Sequence, residues 1–315
     1  MSFNCLIIDP MHSSIVPLLG DIGIIGNYQP EITRTEVLKI LPDYDGLILR
    51  SKLTVDTEIL DASKNLKFIA RAGAGMDQID VEQTKIRGIQ LINASEGNAD
   101  AVGEHTLGML LNLLNKIRIG DLEVRNKIWL REENRGYEIK GKTVGIIGYG
   151  FMGKSFAKKL NSFECNIVAF DKFKTDISDG IVKEVTLNEI FETCDIVSLH
   201  FPLNKENKNC INFDFLNSFK KPFWLLNTAR GEVLDTAALI TLLKSGKILG
   251  AALDVLENEK LGSLNERQIE EFNFLSLSNK VILTPHVAGW TYESYYKINK
   301  VLVEKIKNSN IVYNF

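Results

Sequence analysis

Three glycines, Gly148, Gly150 and Gly153, stand at G-x-G-x-x-G spacing in VGIIGYGFMGKSF, residues 144–156. An apolar run, TVGII, precedes them and KSFAKKL, a helical pattern, follows. In that setting the first glycine permits a tight turn and the second lets backbone approach a pyrophosphate. The third lets the helix pack close to the strand. The helix N-terminus then faces the negative charge. Asp171 closes the next apolar run, NIVAF, 18 residues after Gly153. A carboxylate there accepts hydrogen bonds from ribose hydroxyls and repels a 2′-phosphate, which favours NAD over NADP even with Lys172 and Lys174 beside it.

A second group of reactive types falls where later apolar runs end. Arg230 follows FWLLNTA, Asp254 and Glu259 follow GAAL, and His286 follows VILTP. Ligands of parallel sheets sit beyond the carboxyl ends of the strands, so these residues point to one rim. A guanidinium binds a carboxylate in two-pronged fashion and polarises an adjacent carbonyl. A histidine passes a proton near neutral pH, and a carboxylate beside it fixes its tautomer. The set suits hydride transfer between nicotinamide and a 2-hydroxy or 2-keto acid, with no metal. His200, at another strand end, reads as structural or cofactor-lining. His105 reads as packed in a helix, and His12 has no partner that the sequence identifies.

The elements that must position these residues alternate along the chain. CLIID (5–9), GLILRS (46–51), KFIARAG (67–73) and IQLINA (89–94) read as buried strands, with helices over 33–41 and 80–88 between them. That β-α-β series predicts a parallel sheet. A second series starts at Lys142, with strands over 143–148, 166–171, 196–202, 223–229, 249–255 and 281–285. Residues 98–117 read as one long helix, apolar nearly all round its second half and so buried. TAALITLLKSG (236–246) reads as a helix with a glycine stop, and residues 292–309 as a closing amphipathic helix. Two α/β halves fit 315 residues.

Composition excludes several classes. With 45% hydrophobic and 24% charged residues the chain reads as globular, and a net charge of −3 argues against a general nucleic-acid binder. Cys5, Cys165, Cys194 and Cys210 show no C-x-x-C spacing and read as reduced thiols. The N-terminus lacks a signal-peptide pattern, and no run is long and apolar enough to span a membrane, so the expected setting is cytoplasmic.

The run LLNTARGEVLDTAALITLLKSGKILGAALDVLENE, together with TPHVAGWT, GKTVGIIGYGFMGK and SLHFPL, closely resembles the D-isomer-specific 2-hydroxyacid dehydrogenases over essentially the whole chain. The resemblance implies that Arg230 binds the substrate carboxylate and carbonyl, that His286 is the acid/base and that Glu259 pairs with it. It also implies that Asp254 contacts the nicotinamide carboxamide. Phe151 and Met152 would face the pyrophosphate through backbone amides. Ala74, His200, Phe201, Pro202, Thr228, Ala229 and Gly289 would line the NAD site. The implied architecture is α/β, with two doubly wound parallel-sheet domains. Residues 98–289 would form a Rossmann NAD-binding domain. Residues 1–97 with 290–315 would form a flavodoxin-like, discontinuous substrate domain. Two long helices would cross between them as a hinge, and cleft closure would exclude water.

Within the family, ILRSKLTV and ARAGAGMDQID are most similar to phosphoglycerate dehydrogenases. That similarity implies a substrate phosphate site at Arg50, Ser51 and Arg71, and a carboxylate site at the backbone of Ala74 and Gly75. Arg131 would reach across a homodimer formed through the NAD-binding domains. Oxidation of 3-phosphoglycerate in serine biosynthesis is then the expected reaction. Reduction of glyoxylate, hydroxypyruvate or another 2-keto acid is the nearer alternative, and an NAD-sensing, corepressor-like binding protein the more distant one. Longer phosphoglycerate dehydrogenases carry a C-terminal serine-sensing domain, so no serine feedback by that route is expected. Trp290, a bulky residue just past His286, departs from the pattern.

Overall fold

Short, mostly apolar strands followed by amphipathic helices dictate how the chain folds. The computed structural model describes residues 3–309. In chain order the first elements are β1 (Phe3–Ile7), α1 (Ile15–Gly20), β2 (Ile24–Tyr28), α2 (Arg34–Ile40), β3 (Gly46–Leu49), α3 (Thr57–Ala62), β4 (Phe68–Arg71), α4 (Val81–Ile86) and β5 (Gln90–Asn93). Then come α5 (Ser95–Asn115), α6 (Ile117–Arg125), β6 (Thr143–Ile147), α7 (Phe151–Leu160), β7 (Asn166–Phe170), β8 (Lys183–Glu184), α8 (Leu187–Thr193) and β9 (Ile196–Leu199). The chain continues through α9 (Phe213–Asn217), β10 (Phe223–Asn227), α10 (Thr236–Ser245), β11 (Ile248–Leu253), α11 (Glu266–Leu277), β12 (Val281–Leu283) and α12 (Tyr292–Asn308).

The chain divides into two compact units, one of residues up to Ala99 with those from Trp290 onward, the other Asp100–Gly289. The first division falls inside α5 and the second just before α12. Residues 310–315, assigned by the sequence to the substrate domain, lie outside the described residues, as do Met1 and Ser2.

The first unit holds a five-stranded parallel sheet in the order β2-β1-β3-β4-β5. Apolar side chains cover both faces, as parallel strands require. Along β1, Cys5 and Ile7 enter one layer, which α12 completes with Ile298, Leu302, Val303 and Ile306. Leu6 and the following Ile8 enter the opposite layer with Val37, Leu47 and Ile59. The second unit holds a seven-stranded parallel sheet, β12-β11-β10-β9-β6-β7-β8. Leu225 and Leu253 face one layer, and Trp224, Leu226 and Ile146 the other.

The differences from the sequence reading have local causes. β2 went unrecognised because it is an edge strand in which only Ile24 is buried, so it lacks a continuous apolar run. The helix expected over 98–117 begins at Ser95 and stops at Asn115, because Lys116 turns left-handed (φ 52°) before α6 starts. Its second half is not buried all round: Met109, Leu110 and Leu114 are, whereas Gly108 and Asn115 remain exposed.

Gly46, in the buried strand β3, makes room for the Phe68 ring of β4. A Cβ there would lie 2.4 Å from Phe68 Cζ. Gly46→Ala is expected to lower unfolding stability by about 1–3 kcal/mol through overpacking, read as a lower urea midpoint.

Candidate active site

Strand register brings the candidate residues of the second unit to one edge. Leu283 of β12 pairs with Leu253, Leu253 with Asn227, Asn227 with Leu199, and Leu199 with Ile147. The loops bearing His286, Asp254, Arg230, His200 and Gly148 therefore leave the same edge of neighbouring strands. The order of connection reverses between β9 and β6, which is where a doubly wound sheet opens a crevice for its ligand.

The glycine loop fits a dinucleotide phosphate. Gly148 has φ +94°, and a Cβ there would lie 2.6 Å from the His200 carbonyl oxygen. A Cβ on Gly153 would lie 2.3 Å from the Gly148 carbonyl oxygen, so α7 packs directly on the turn. Gly150, the N-cap of α7, has the opposite environment: a Cβ there would meet nothing within 4 Å. Two glycines thus give close packing and the middle one leaves open space at the helix N-terminus, with Phe151 and Met152 in the first turn. Asp171 accepts from the backbone amides of Tyr149 (2.8 Å), Phe173 (3.0 Å) and Lys174 (3.2 Å), which ties its carboxylate to this loop.

His200 is at a strand end as expected, but its side chain is buried beneath the loop. Its Nε2 lies 2.7 Å from Ser198 Oγ, its ring packs on Phe156, and burial pushes its pKa down to about 3. The imidazole is therefore neutral, and it is the His200 backbone that abuts Gly148. Phe201 and Pro202 follow it, half-buried and exposed respectively.

His286 Nδ1 lies 2.9 Å from Glu259 Oε2, and both side chains are nearly half exposed. With a carboxylate as partner, Nδ1 carries the proton in the neutral ring, and Nε2 is the nitrogen left for exchange. The His286 backbone is left-handed (φ 54°), an uncommon conformation for a residue with a side chain. Asp254 holds it there. The Asp254 carbonyl accepts from the His286 amide at 2.8 Å. Its Oδ1 accepts from the Val287 amide (2.9 Å) and the Thr284 hydroxyl (2.5 Å), and its Oδ2 from the Ala288 amide (2.8 Å). Because the Thr284 proton points to that carboxylate, Thr284 Oγ1 accepts from His105 Nε2 at 3.1 Å. Asp254, which the resemblance places at the nicotinamide carboxamide, anchors this loop through these bonds. Thr284 and His105 were not recognised in this role. Thr284 sits in the LTPH segment beside the histidine, and that adjacency is its only sequence signal.

Arg230 has extended backbone, and its Nη1 donates to the Ala229 carbonyl oxygen at 2.6 Å. Buried Asn227 braces this turn: its Nδ2 donates to the Arg230 carbonyl and its Oδ1 accepts from the Ala229 amide. The next residue, Gly231, has no room for a side chain, since a Cβ would lie 1.9 Å from the Leu256 carbonyl oxygen. Thr228 Oγ1 lies 3.1 Å from Thr106 Oγ1 of α5. Gly289 ends the unit.

In the first unit, Arg50 and Arg71 leave the ends of the paired strands β3 and β4. Asp9 braces the loop carrying Arg50, Ser51 and Lys52: its carboxylate accepts from the Arg50 amide at 2.7 Å and the Lys52 amide at 3.3 Å. The Arg71 guanidinium lies across Gly73, where it passes 1.7 Å from the position a Cβ would take. Ala74 and buried Gly75 follow in the same loop, and Asn93 Nδ2 donates to the Ala74 carbonyl. Arg131 is in the other unit, in an exposed turn after α6. His12 packs edge-on against Tyr295 and Tyr296, and the four cysteines are free thiols. Among the described residues no cluster of His, Cys, Asp and Glu could hold a metal, and no helix is long and apolar enough to cross a membrane.

Residues 107–288 match the family model described as D-isomer specific 2-hydroxyacid dehydrogenase, NAD binding domain. The chain is 35% identical over 298 residues to the hydroxypyruvate reductase of Thermotoga maritima, covering 95% of each. It is 33% identical over 305 residues to the D-3-phosphoglycerate dehydrogenase of Archaeoglobus fulgidus, covering 96% of this chain and 56% of that one. It thus spans about half the length of the phosphoglycerate dehydrogenases it matches. Among solved structures it is similar to the D-lactate dehydrogenase from Aquifex aeolicus complexed with NAD and lactic acid, with TM-score 0.82, 26% identity and coverage of 97% and 95%. The chain belongs to the D-isomer specific 2-hydroxyacid dehydrogenase family, and its cofactor is NAD.

Asp254→Asn would turn an NH2 group toward backbone amides that now donate to a carboxylate. It is expected to cost about 1–3 kcal/mol of stability. Steady-state assay of the same variant should show kcat reduced by about tenfold or more as the His286 loop loosens.

Proposed function

We propose that this chain interconverts a D-2-hydroxy acid and its 2-keto acid, and that its substrate is 3-phosphoglycerate with 3-phosphohydroxypyruvate as product. The His286–Glu259 pair, at the crevice edge that also carries the glycine loop and Arg230, is the observation that carries the chemistry. Gly148, Gly150, Gly153 and Asp171 would hold NAD, which accepts or donates the hydride at the substrate C2 when bound. Arg230 binds the substrate carboxylate and carbonyl oxygen through its planar fork. In the reducing direction His286 Nε2 delivers a proton to the carbonyl oxygen as C2 gains the hydride. In the oxidising direction it takes that proton from the hydroxyl. Glu259 holds the imidazole by Nδ1 throughout. On this reading Asp100–Gly289 is the cofactor domain and the other unit the substrate domain.

The phosphate is supported by two guanidinium groups, Arg50 and Arg71, at the ends of adjacent strands, next to the glycine-rich loop of Ala74 and Gly75. Several cations are what a phosphate dianion requires. Reduction of hydroxypyruvate or glyoxylate uses the same catalytic trio and differs only in leaving these arginines without a substrate role. Oxidation of NADH, followed by absorbance with 3-phosphohydroxypyruvate, hydroxypyruvate and glyoxylate, distinguishes the two. The phosphorylated acid is expected to be fastest. Arg71→Ala should lower its kcat/KM by about 10- to 100-fold, the weight of a lost charge-assisted contact, and leave glyoxylate within about twofold. Equal rates for all three acids would reassign the substrate.

The reading extends to a homodimer through the cofactor domain. After Asn115 the chain exposes Leu122, Val124, Ile128 and Trp129, the last at 80%. Apolar side chains this concentrated need a partner surface, and a second copy supplies one with Arg131 beside it. Sedimentation should give a dimer, and Trp129→Glu should shift it toward monomer.

A further inference from the structure

The Arg50 guanidinium packs on two aromatic rings, and the Asp9 carboxylate, bonded to the Arg50 amide, acts on its charge from beyond ion-pair distance. Its Cζ sits 4.0 Å above the Trp290 ring centroid and 5.5 Å from that of Tyr295. The two aromatic rings themselves pack at 5.0 Å. Of its five N–H donors, one reaches a protein acceptor, the Pro10 carbonyl oxygen at 3.4 Å. No carboxylate among the described residues forms an ion pair with it, and burial holds its pKa below the usual arginine value. The backbone is pinned on both sides: the Arg50 amide donates to Asp9, and the Arg50 carbonyl accepts from Gln78 Nε2. An arginine held this way has an aromatic ring over its guanidinium and keeps N–H groups that no acceptor among the described residues takes.

We propose that Trp290 is a specificity-determining residue that clamps Arg50 face-on, so that the guanidinium edge presents a preformed fork to the terminal phosphate of the substrate. The cation–π contact supports the Arg50 charge without a directly paired carboxylate, which would compete with an anion for the guanidinium. A flat face against indole leaves parallel N–H groups pointing one way, which matches two oxygens of a tetrahedral oxyanion. Trp290 thus selects for a distal anion without touching the reacting carbon. This role rests on the phosphorylated substrate argued above. Trp290 is half exposed, at 49%, in the segment before α12, so its replacement removes no core packing.

The test is calorimetric titration of the protein loaded with NADH, which cannot accept a hydride, with 3-phosphoglycerate and with D-glycerate, which lacks the phosphate, together with steady-state kinetics. Trp290→Leu is expected to weaken 3-phosphoglycerate by about tenfold, the scale of a partly desolvated cation–π contact, and to leave D-glycerate within about twofold. KM for the phosphorylated acid should rise while kcat stays within about twofold. Trp290→Phe, which keeps a ring under the guanidinium, should recover most of the affinity. Equal weakening of both acids, no weakening of either, or a Phe variant as poor as Leu would overturn the clamp. A wild-type protein that binds the two acids alike would instead remove the phosphate reading of the substrate. The clamp is then read separately by titrating inorganic phosphate alone, where equal affinity in wild type and Trp290→Leu would overturn it.

Discussion

The Asp254 carboxylate is the constraint on which the loop bearing His286 depends. Buried at the end of β11, it gathers the Thr284 hydroxyl and the amides of Val287 and Ala288, while its own carbonyl takes the His286 amide. A buried carboxylate without donors would be costly, so these bonds are mutually obligatory: the loop satisfies the acid and the acid shapes the loop. The left-handed backbone at His286 is one result, and it aims the imidazole so that Nδ1 meets Glu259. His105 and Thr284 extend the same network back into α5.

That network has somewhere to act because every strand of the sheet runs in one direction. Parallel pairing puts the ends of β12, β11, β10, β9 and β6 at matched register, so loops far apart in sequence leave together. The reversal of connections between β6 and β9 then separates neighbouring loops, and the glycine turn lies at that gap. His200 shows how tightly the gap is built. Its neutral ring fills the core under the turn, and its backbone forbids any side chain at position 148. Chemistry at this edge is thus a product of topology, and the side chains only have to be of the right type at the strand ends.

The strand-borne parts of this arrangement were legible in the sequence because burial on both faces writes a parallel strand as an unbroken apolar run. FWLLN and GLIL announce themselves that way, and the glycine spacing with Asp171 announces the phosphate turn. Legibility stopped where structure comes from pairing or bonding across the chain. β2, with one buried residue, is a strand because β1 pairs with it, not because of its own pattern. The stop at Lys116 has no glycine to mark it. The engagement of Asp254 was invisible because its partners lie thirty or more residues away, and a carboxylate before a reactive segment looks the same whether it faces a cofactor or its own loop. Trp290 stood out as a departure, but its partner, Arg50, could be named only once β3 and α12 were seen in one unit.

Residues 286–290 lead from one unit into the other within five positions. His286 belongs to the unit of the glycine turn, and Trp290, four residues on, belongs to the unit of Arg50 and Arg71. Between them, Val287 and Ala288 donate their amides to Asp254. So a single short peptide, tied down by one buried acid, runs from the histidine paired with Glu259 to the tryptophan over Arg50. Substitutions at its ends should separate cleanly: changes at Trp290 should act on which acid binds, and changes at His286 on how fast it reacts. Changes at Asp254 should act with those at His286, because the loop that Asp254 anchors carries the histidine.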